Sequence, residues 1–247
     1  MIEPRIYRAA FVPALLAIVL TMFSFQSRPR PLQQGLAADV LFDGNQAAAL
    51  AARIAAEAPD RRAGSSGDRA TAQLVADTFA TRGFGGGGTR PVVQRFSQDG
   101  RQLVNVIGRR AGSSRRQIVI VAERDATAVP DAPGSASDTA ALMQLARVYQ
   151  GRPSQKTLVL ASIDGSSLGQ AGARRLVDVL PAPELVDAVL VVSDLGSRTS
   201  DGPVLQAWSN DSSRAGIGLQ RTVADSVRQE LGSSAGGSGS LAQLARL

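Results

Sequence analysis

The chain has 247 residues, with 27 Lys and Arg against 21 Asp and Glu, and it contains neither histidine nor cysteine. The two zeros exclude, within this sequence, a Ser-His-Asp triad, an imidazole acid/base relay, a zinc-histidine site, a disulfide and a thiolate nucleophile. Its chemistry must come from carboxylates, hydroxyls, arginine or the backbone. The length suits one domain of about 200 residues plus an appendage. All basic residues but Lys156 are arginine, scattered or paired as in Arg61-Arg62 and Arg115-Arg116 and accompanied by few aromatics, so no nucleic-acid partner is expected.

In chain order, residues 9–25 (AAFVPALLAIVLTMFSF) carry no charge over 17 positions, the lower limit for a bilayer span. Arg5 and Arg8 precede this run and Arg28 and Arg30 follow it, with no small-x-small cleavage site directly after. Residues 1–30 are therefore read as an uncleaved signal-anchor in preference to a cleaved signal peptide, with the domain outside the cytoplasm. A linker over 31–44 leads into the α/β domain, 45–247. The expected partners are a membrane, through residues 9–25, and a membrane protein or peptide.

Helices are predicted over 45–57 and 68–82, the second with Ala70, Leu74, Val75 and Phe79 near one face and Gly83 at its stop. Strands follow at 92–96, 103–108 and 117–122, then a helix over 138–149, a strand over 157–163, a helix over 168–180, strands at 188–193 and 204–208, and a helix over 215–231. Apolar β-branched runs separated by helices imply an α/β fold, a mostly parallel central sheet flanked by helices, with an antiparallel hairpin near the start. The Gly- and Ser-rich tail from Gly232 reads as a loop, and the domain is expected to be incomplete at the C-terminus.

Three apolar runs end in carboxylates, at Glu123 and Asp125, at Asp164, and at Asp194. In an open parallel sheet these ends face the ligand crevice, so the four acids are expected on one rim, as cation ligands or as a coupled acid/base group. Capping of the next turn is the alternative for any one of them. Two glycine motifs compete for attention. Gly83 to Gly88 satisfies the dinucleotide fingerprint but follows a helix and precedes a strand, the reverse of what that motif requires. Gly165-Ser166-Ser167-Leu168-Gly169 lies between strand and helix, as a nucleophile elbow with Ser167 as nucleophile demands. Its only lysine, Lys156, would lie roughly 23 Å away along an extended strand.

Taken together, Arg61-Arg62-Ala63-Gly64-Ser65, Leu103-Val-Asn105-Val-Ile-Gly108, Glu123-Arg124-Asp125, the helix Ala140 to Arg147, Asp164-Gly165-Ser166-Ser167-Leu168-Gly169-Gln-Ala-Gly172 and Asp194-Leu195-Gly196 resemble, in order, the segments of metallopeptidase family 28, the di-zinc aminopeptidases. The resemblance covers about residues 60 to 196. It implies the zinc aminopeptidase fold, and two zinc ions held by two histidines, two aspartates and a glutamate, with a further glutamate as general base. Position by position, Glu123 stands where the first ligand histidine belongs and Asp125 where its orienting aspartate does, with nothing to orient. Ser166 replaces the general base, and Ser167 the neighbouring ligand. Asp194 stands in a ligand place; the aspartate before the Ala-rich helix aligns with Gly134, and only a shift brings Asp131 or Asp138 there. The last ligand histidine would lie beyond residue 247. The resemblance thus implies a degenerate, inactive peptidase-like domain acting as a binding or structural module, with no cofactor, and zinc only if the site is functional. The alternative is an active hydrolase, with a carboxylate metal site or with Ser167 as nucleophile.

Overall fold

The computed structural model describes residues 42–85, 90–127, 134–196, 204–206, 216–231 and 236–237. The expected anchor and most of the linker therefore lie outside the described residues, as do Asp131, Trp208 and the end of the tail. No helix among the described residues is long and apolar enough to cross a membrane. The described residues fall into two compact units, 42–196 and 204–237.

In the larger unit two helices come first, α1 (Gly44–Glu57) and α2 (Ser66–Thr81). Asp43 caps α1 by accepting from the Gln46 amide at 3.0 Å, and Ser65 caps α2 by accepting from the Asp68 amide at 3.1 Å. Strands β1 (Val92–Gln98), β2 (Arg101–Arg110) and β3 (Ser114–Glu123) follow, then α3 (Gly134–Tyr149), β4 (Lys156–Ile163), α4 (Ala171–Val179), a 3-10 turn (Pro183–Leu185) and β5 (Val186–Val192). The sheet order is β1-β2-β4-β3-β5.

The expected mostly parallel sheet is in fact mixed. β4 runs parallel to β3, and β3 to β5, whereas β1–β2 and β2–β4 are antiparallel. The reason lies in two short connections, since a parallel crossover needs a dozen or more residues. Asp99 and Gly100 both have positive φ, 50° and 73°, the pattern of the two-residue turn whose twist suits a hairpin. Residues 111–113 then reverse the chain again, held by Ser113 N–H to Ser154 O at 3.0 Å and Gly112 N–H to Thr157 Oγ1 at 3.2 Å.

Side-chain alternation divides the core between the two faces of the sheet. Ile120, Ala122, Leu158 and Leu160 join Val104 and Val106 on the face covered by α1, α2 and α3. Val119, Val121, Val159, Ala161 and Ile163 lie on the other face with Leu176 of α4. Strands β3 and β4 are therefore buried on both faces, as their unbroken apolar runs predict. β5 is not: as the edge strand it leaves Val189 52% and Val191 63% exposed. α4 is also shorter than predicted, because Gly169 and Gln170 have φ of 64° and 62° and no helix can start before Ala171.

In the smaller unit, β6 (Val204–Leu205) pairs in parallel with β7 (Gly236–Gly237), and α5 (Ile217–Leu231) lies between them in sequence. Two residues of the tail read as loop are thus paired strand.

Gly172 shows how tightly α4 meets the sheet. A Cβ there would overlap the Asp164 carbonyl oxygen and stand 2.7 Å from Asn105 Oδ1. Asn105 holds this junction, donating from Nδ2 to Gly172 O at 2.9 Å and accepting at Oδ1 from the Asp164 amide at 3.1 Å. Gly172→Ala is expected to lower unfolding free energy by about 2 kcal/mol through overpacking, read as a lower urea midpoint with an unchanged slope.

Candidate functional site

The carboxyl ends of β3, β4 and β5, with the first turns of α3 and the turn before α4, build the site. β3 ends in Glu123-Arg124-Asp125, and the three side chains diverge. Arg124 turns into the protein and is fully buried, Glu123 is half-buried at the rim, and Asp125, itself buried, turns toward the 165–170 turn. Arg124 meets Asp68 of α2 in a two-pronged pair, Nε to Oδ1 at 2.8 Å and Nη2 to Oδ2 at 2.9 Å. It also donates to Val104 O at 2.6 Å and to Ser162 Oγ at 3.2 Å. Asp164 lies 3.7 Å from the same guanidinium and accepts from the Val104 amide at 3.0 Å.

Asp164 is therefore not on the rim with the other acids. It sits beneath it, in a buried group of two carboxyls and one guanidinium. Burial pushes its pKa up to about 7 and the Asp68 carboxylate pushes the same way, against the opposing pull of Arg124. With Asp164 protonated, Asp68 and Arg124 form a neutral pair, the arrangement a dry interior favours.

On the rim, Asp125 is the organising residue. Its Oδ1 accepts from Ser166 twice, from the amide at 2.9 Å and the hydroxyl at 2.7 Å. Its Oδ2 accepts likewise from Ser167, at 3.1 and 2.8 Å. Asp125 thus does orient something: it holds the serine pair, and the four bonds use all the lone-pair positions an ionised carboxylate offers. Glu123 is half-buried beside this cluster. Burial raises its pKa first, and the Asp125 and Asp194 carboxylates raise it further, opposed by hydrogen bonds with Gln170 and Ser166.

Asp138, in the second turn of α3, reaches the same rim. Its two oxygens accept from the Asp194 amide at 2.9 Å and the Leu195 amide at 3.0 Å, holding the loop after β5 where Asp194 has a left-handed φ of 56°. Burial carries the Asp138 pKa up to about 6, with Asp194 and Glu123 adding to it against those two hydrogen bonds. Glu123, Asp125, Asp138 and Asp194 therefore share one electrostatic neighbourhood with Ser166 and Ser167. Lys156 stands apart, paired with Asp187 at 2.6 Å. The left-handed residues of the 165–170 turn are Gly165, Gly169 and Gln170, so the strain of a nucleophile elbow does not fall on Ser167.

These donors do not fit a zinc pair. Ser166 and Ser167 direct their hydroxyl protons at Asp125, Asp125 has no lone pair to spare, and Asp138 is committed to two backbone amides. Among the described residues no group of three or more His, Cys, Asp or Glu is placed to hold a metal ion. Sequence reasoning missed Asp68, Arg124 and Gln170. The one available signal was an arginine at a strand end, between two acids and next to alanines, where burial demands a partner.

No family model matches the chain, and no curated protein sequence does either. Solved structures do. LapB from Legionella pneumophila matches at 16% identity with a TM-score of 0.65, over 86% of this chain and 60% of that one. The Legionella pneumophila LapA aminopeptidase matches at 13% with a TM-score of 0.63, over 90% and 62%. An Acidobacteriales bacterium glutaminyl cyclase matches at 22% with a TM-score of 0.57, over 70% and 64%. The chain spans less than two thirds of the length of each. These likenesses show a fold shared with aminopeptidases, as the resemblance implied, and with glutaminyl cyclases, which it did not name.

Two measurements check the electrostatics. Arg124→Leu leaves Asp68 and Asp164 buried without their cation and is expected to cost about 3–5 kcal/mol at neutral pH, read as a lower urea midpoint. Asp138 and Asp164 have folded pKa values above the unfolded 3.8, so the folded state holds more protons than the unfolded between pH 4 and pH 6 to 7. Their contribution is fully present below pH 4 and is lost as pH rises through that window. The urea midpoint of Asp138→Asn should accordingly decline less between pH 4.5 and 7 than that of the parent chain.

Proposed function

We propose that this chain is a peptidase-fold domain that binds through its strand-end rim without cleaving, anchored to a membrane by residues 9–25, with the domain outside the cytoplasm and a peptide or membrane protein as partner. The observation that carries the reading is the closed bonding of Asp125 with Ser166 and Ser167. At the positions where the resemblance puts the catalytic base and a zinc ligand, two hydroxyls satisfy a carboxylate instead. A serine hydroxyl is no carboxylate base near neutral pH and is a poor zinc ligand. What remains is a polar ledge of Glu123, Ser166, Ser167 and Asp194, the first two half-buried and the last two exposed, acidic overall. Such a ledge suits a partner's amino terminus or a basic side chain, since Glu123 and Asp194 supply carboxylates beside the hydroxyls of Ser166 and Ser167.

One observation favours a second reading, that of a serine hydrolase. Ser167 is exposed, and its Oγ donates to Asp125 Oδ2 at 2.8 Å, so the hydroxyl already faces a proton acceptor. Asp125 already accepts four hydrogen bonds, two of them from backbone amides, which makes it the holder of the serine turn and supports the binding role over this one.

The test is zinc content and covalent labelling on the full chain. After zinc supplementation and dialysis, metal is expected well below one equivalent and unchanged in Asp194→Ala, and a fluorophosphonate probe is expected to leave Ser167 unmodified. Stoichiometric zinc that disappears in Asp194→Ala would overturn the reading in favour of a carboxylate metal site. Labelling lost in Ser167→Ala would overturn it in favour of the hydrolase.

A further inference from the structure

Away from the rim, a groove of about 510 Å³ opens among α1, α2 and α3. Helical spacing builds it: Leu50 and Arg53 lie one turn apart on α1, Leu74 lies on α2 with Arg82 at that helix's C-terminal cap, and Met143 and Arg147 lie one turn apart on α3. Leu50, Leu74 and Met143 supply an apolar floor, and Arg53, Arg82 and Arg147 are the charged part of the lining. No Asp or Glu is among the residues that line it. Arg147 has no ion pair among the described residues, Arg82 reaches only the neutral Gln150 at 2.6 Å, and Arg53 has just a loose 4.0 Å contact with Glu57.

The floor also holds Gln144, 6% exposed, whose amide nitrogen has no hydrogen-bond partner among the described residues. A buried donor of this kind calls for an acceptor, and the groove it lines is where one can enter. Three cations, an unsatisfied amide and an apolar floor describe the complement of one chemical class. We propose that this groove binds a small amphiphilic anion, its carboxylate or phosphate head between Arg82, Arg147 and Gln144 and its apolar tail along Leu50, Leu74 and Met143. The volume suits a ligand of that size, and a few fixed polar groups above an apolar surface is the usual construction of such a site. The site is separate from the strand-end rim, and its existence does not depend on whether that rim is catalytic.

The test is calorimetric titration of the full chain, below micellar concentrations, with octanoate, octyl phosphate, octanol and inorganic phosphate. At least one of the two octyl anions is expected to bind about tenfold or more tightly than octanol and than inorganic phosphate, since charge-assisted bonds and the apolar floor act together. The tighter of the two identifies the head group. Arg82 and Arg147 are partly exposed, so R82Q/R147Q should fold normally and lose about tenfold or more in affinity, while the volume-keeping Gln144→Met should weaken the anion several-fold and leave octanol unchanged. Octanol binding as tightly as both anions, inorganic phosphate matching octyl phosphate, or anion affinity that survives R82Q/R147Q would each overturn the proposal.

Discussion

The structure depends on where Arg124 goes. A guanidinium cannot stay in a dry interior unpaired, and in this fold it is satisfied by groups from four places: Asp68 at the start of α2, the Val104 carbonyl of β2, Ser162 at the end of β4, and Asp164 just beyond it. One side chain thereby ties a helix N-terminus to three strands. Arg124 points inward, and the acids on either side of it lie at the strand end, Glu123 half-buried and Asp125 enclosed by the serine pair. Asn105 continues the same support, joining β2 to the Asp164 amide and to α4 through Gly172.

The rim built on this support is tightly self-bonded. Asp125 gathers the 165–170 turn, and Asp138 gathers the loop after β5. In each case a carboxylate accepts amide protons from a loop, which positions the loop and uses up the carboxylate. Of the positions where the sequence matches its family resemblance, Asn105, Asp164 and Gly172 lie in the support, and Asp125 and Asp194 lie on the rim. The positions where it departs, Glu123, Ser166 and Ser167, lie on the rim.

Much of the architecture was legible in the chain. The unbroken β-branched runs of β3 and β4 marked strands buried on both faces, and the apolar spacing of α3 marked a helix. The direction of pairing was less legible, because it turned on two short connections, of which the Asp99-Gly100 turn carries a local signal. Asp164 was misplaced by reasoning from strand ends alone: the rule locates the end of a strand, while side-chain direction depends on which partner waits there. The same limit explains Asp68, which reads as an ordinary first-turn acid until Arg124 arrives across 56 residues of sequence.

The sequence by itself determined the fold class, the order of elements, the absence of imidazole and thiolate chemistry and the identity of the residues at the strand ends. Composition and periodicity are local properties, and burial acts on them directly. Only the tertiary structure decided which carboxylates are spent on amides and hydroxyls, which is buried beside a cation, and which stay on the rim. A carboxylate's state depends on its dielectric surroundings and its donors, and those are supplied by segments far away in the chain.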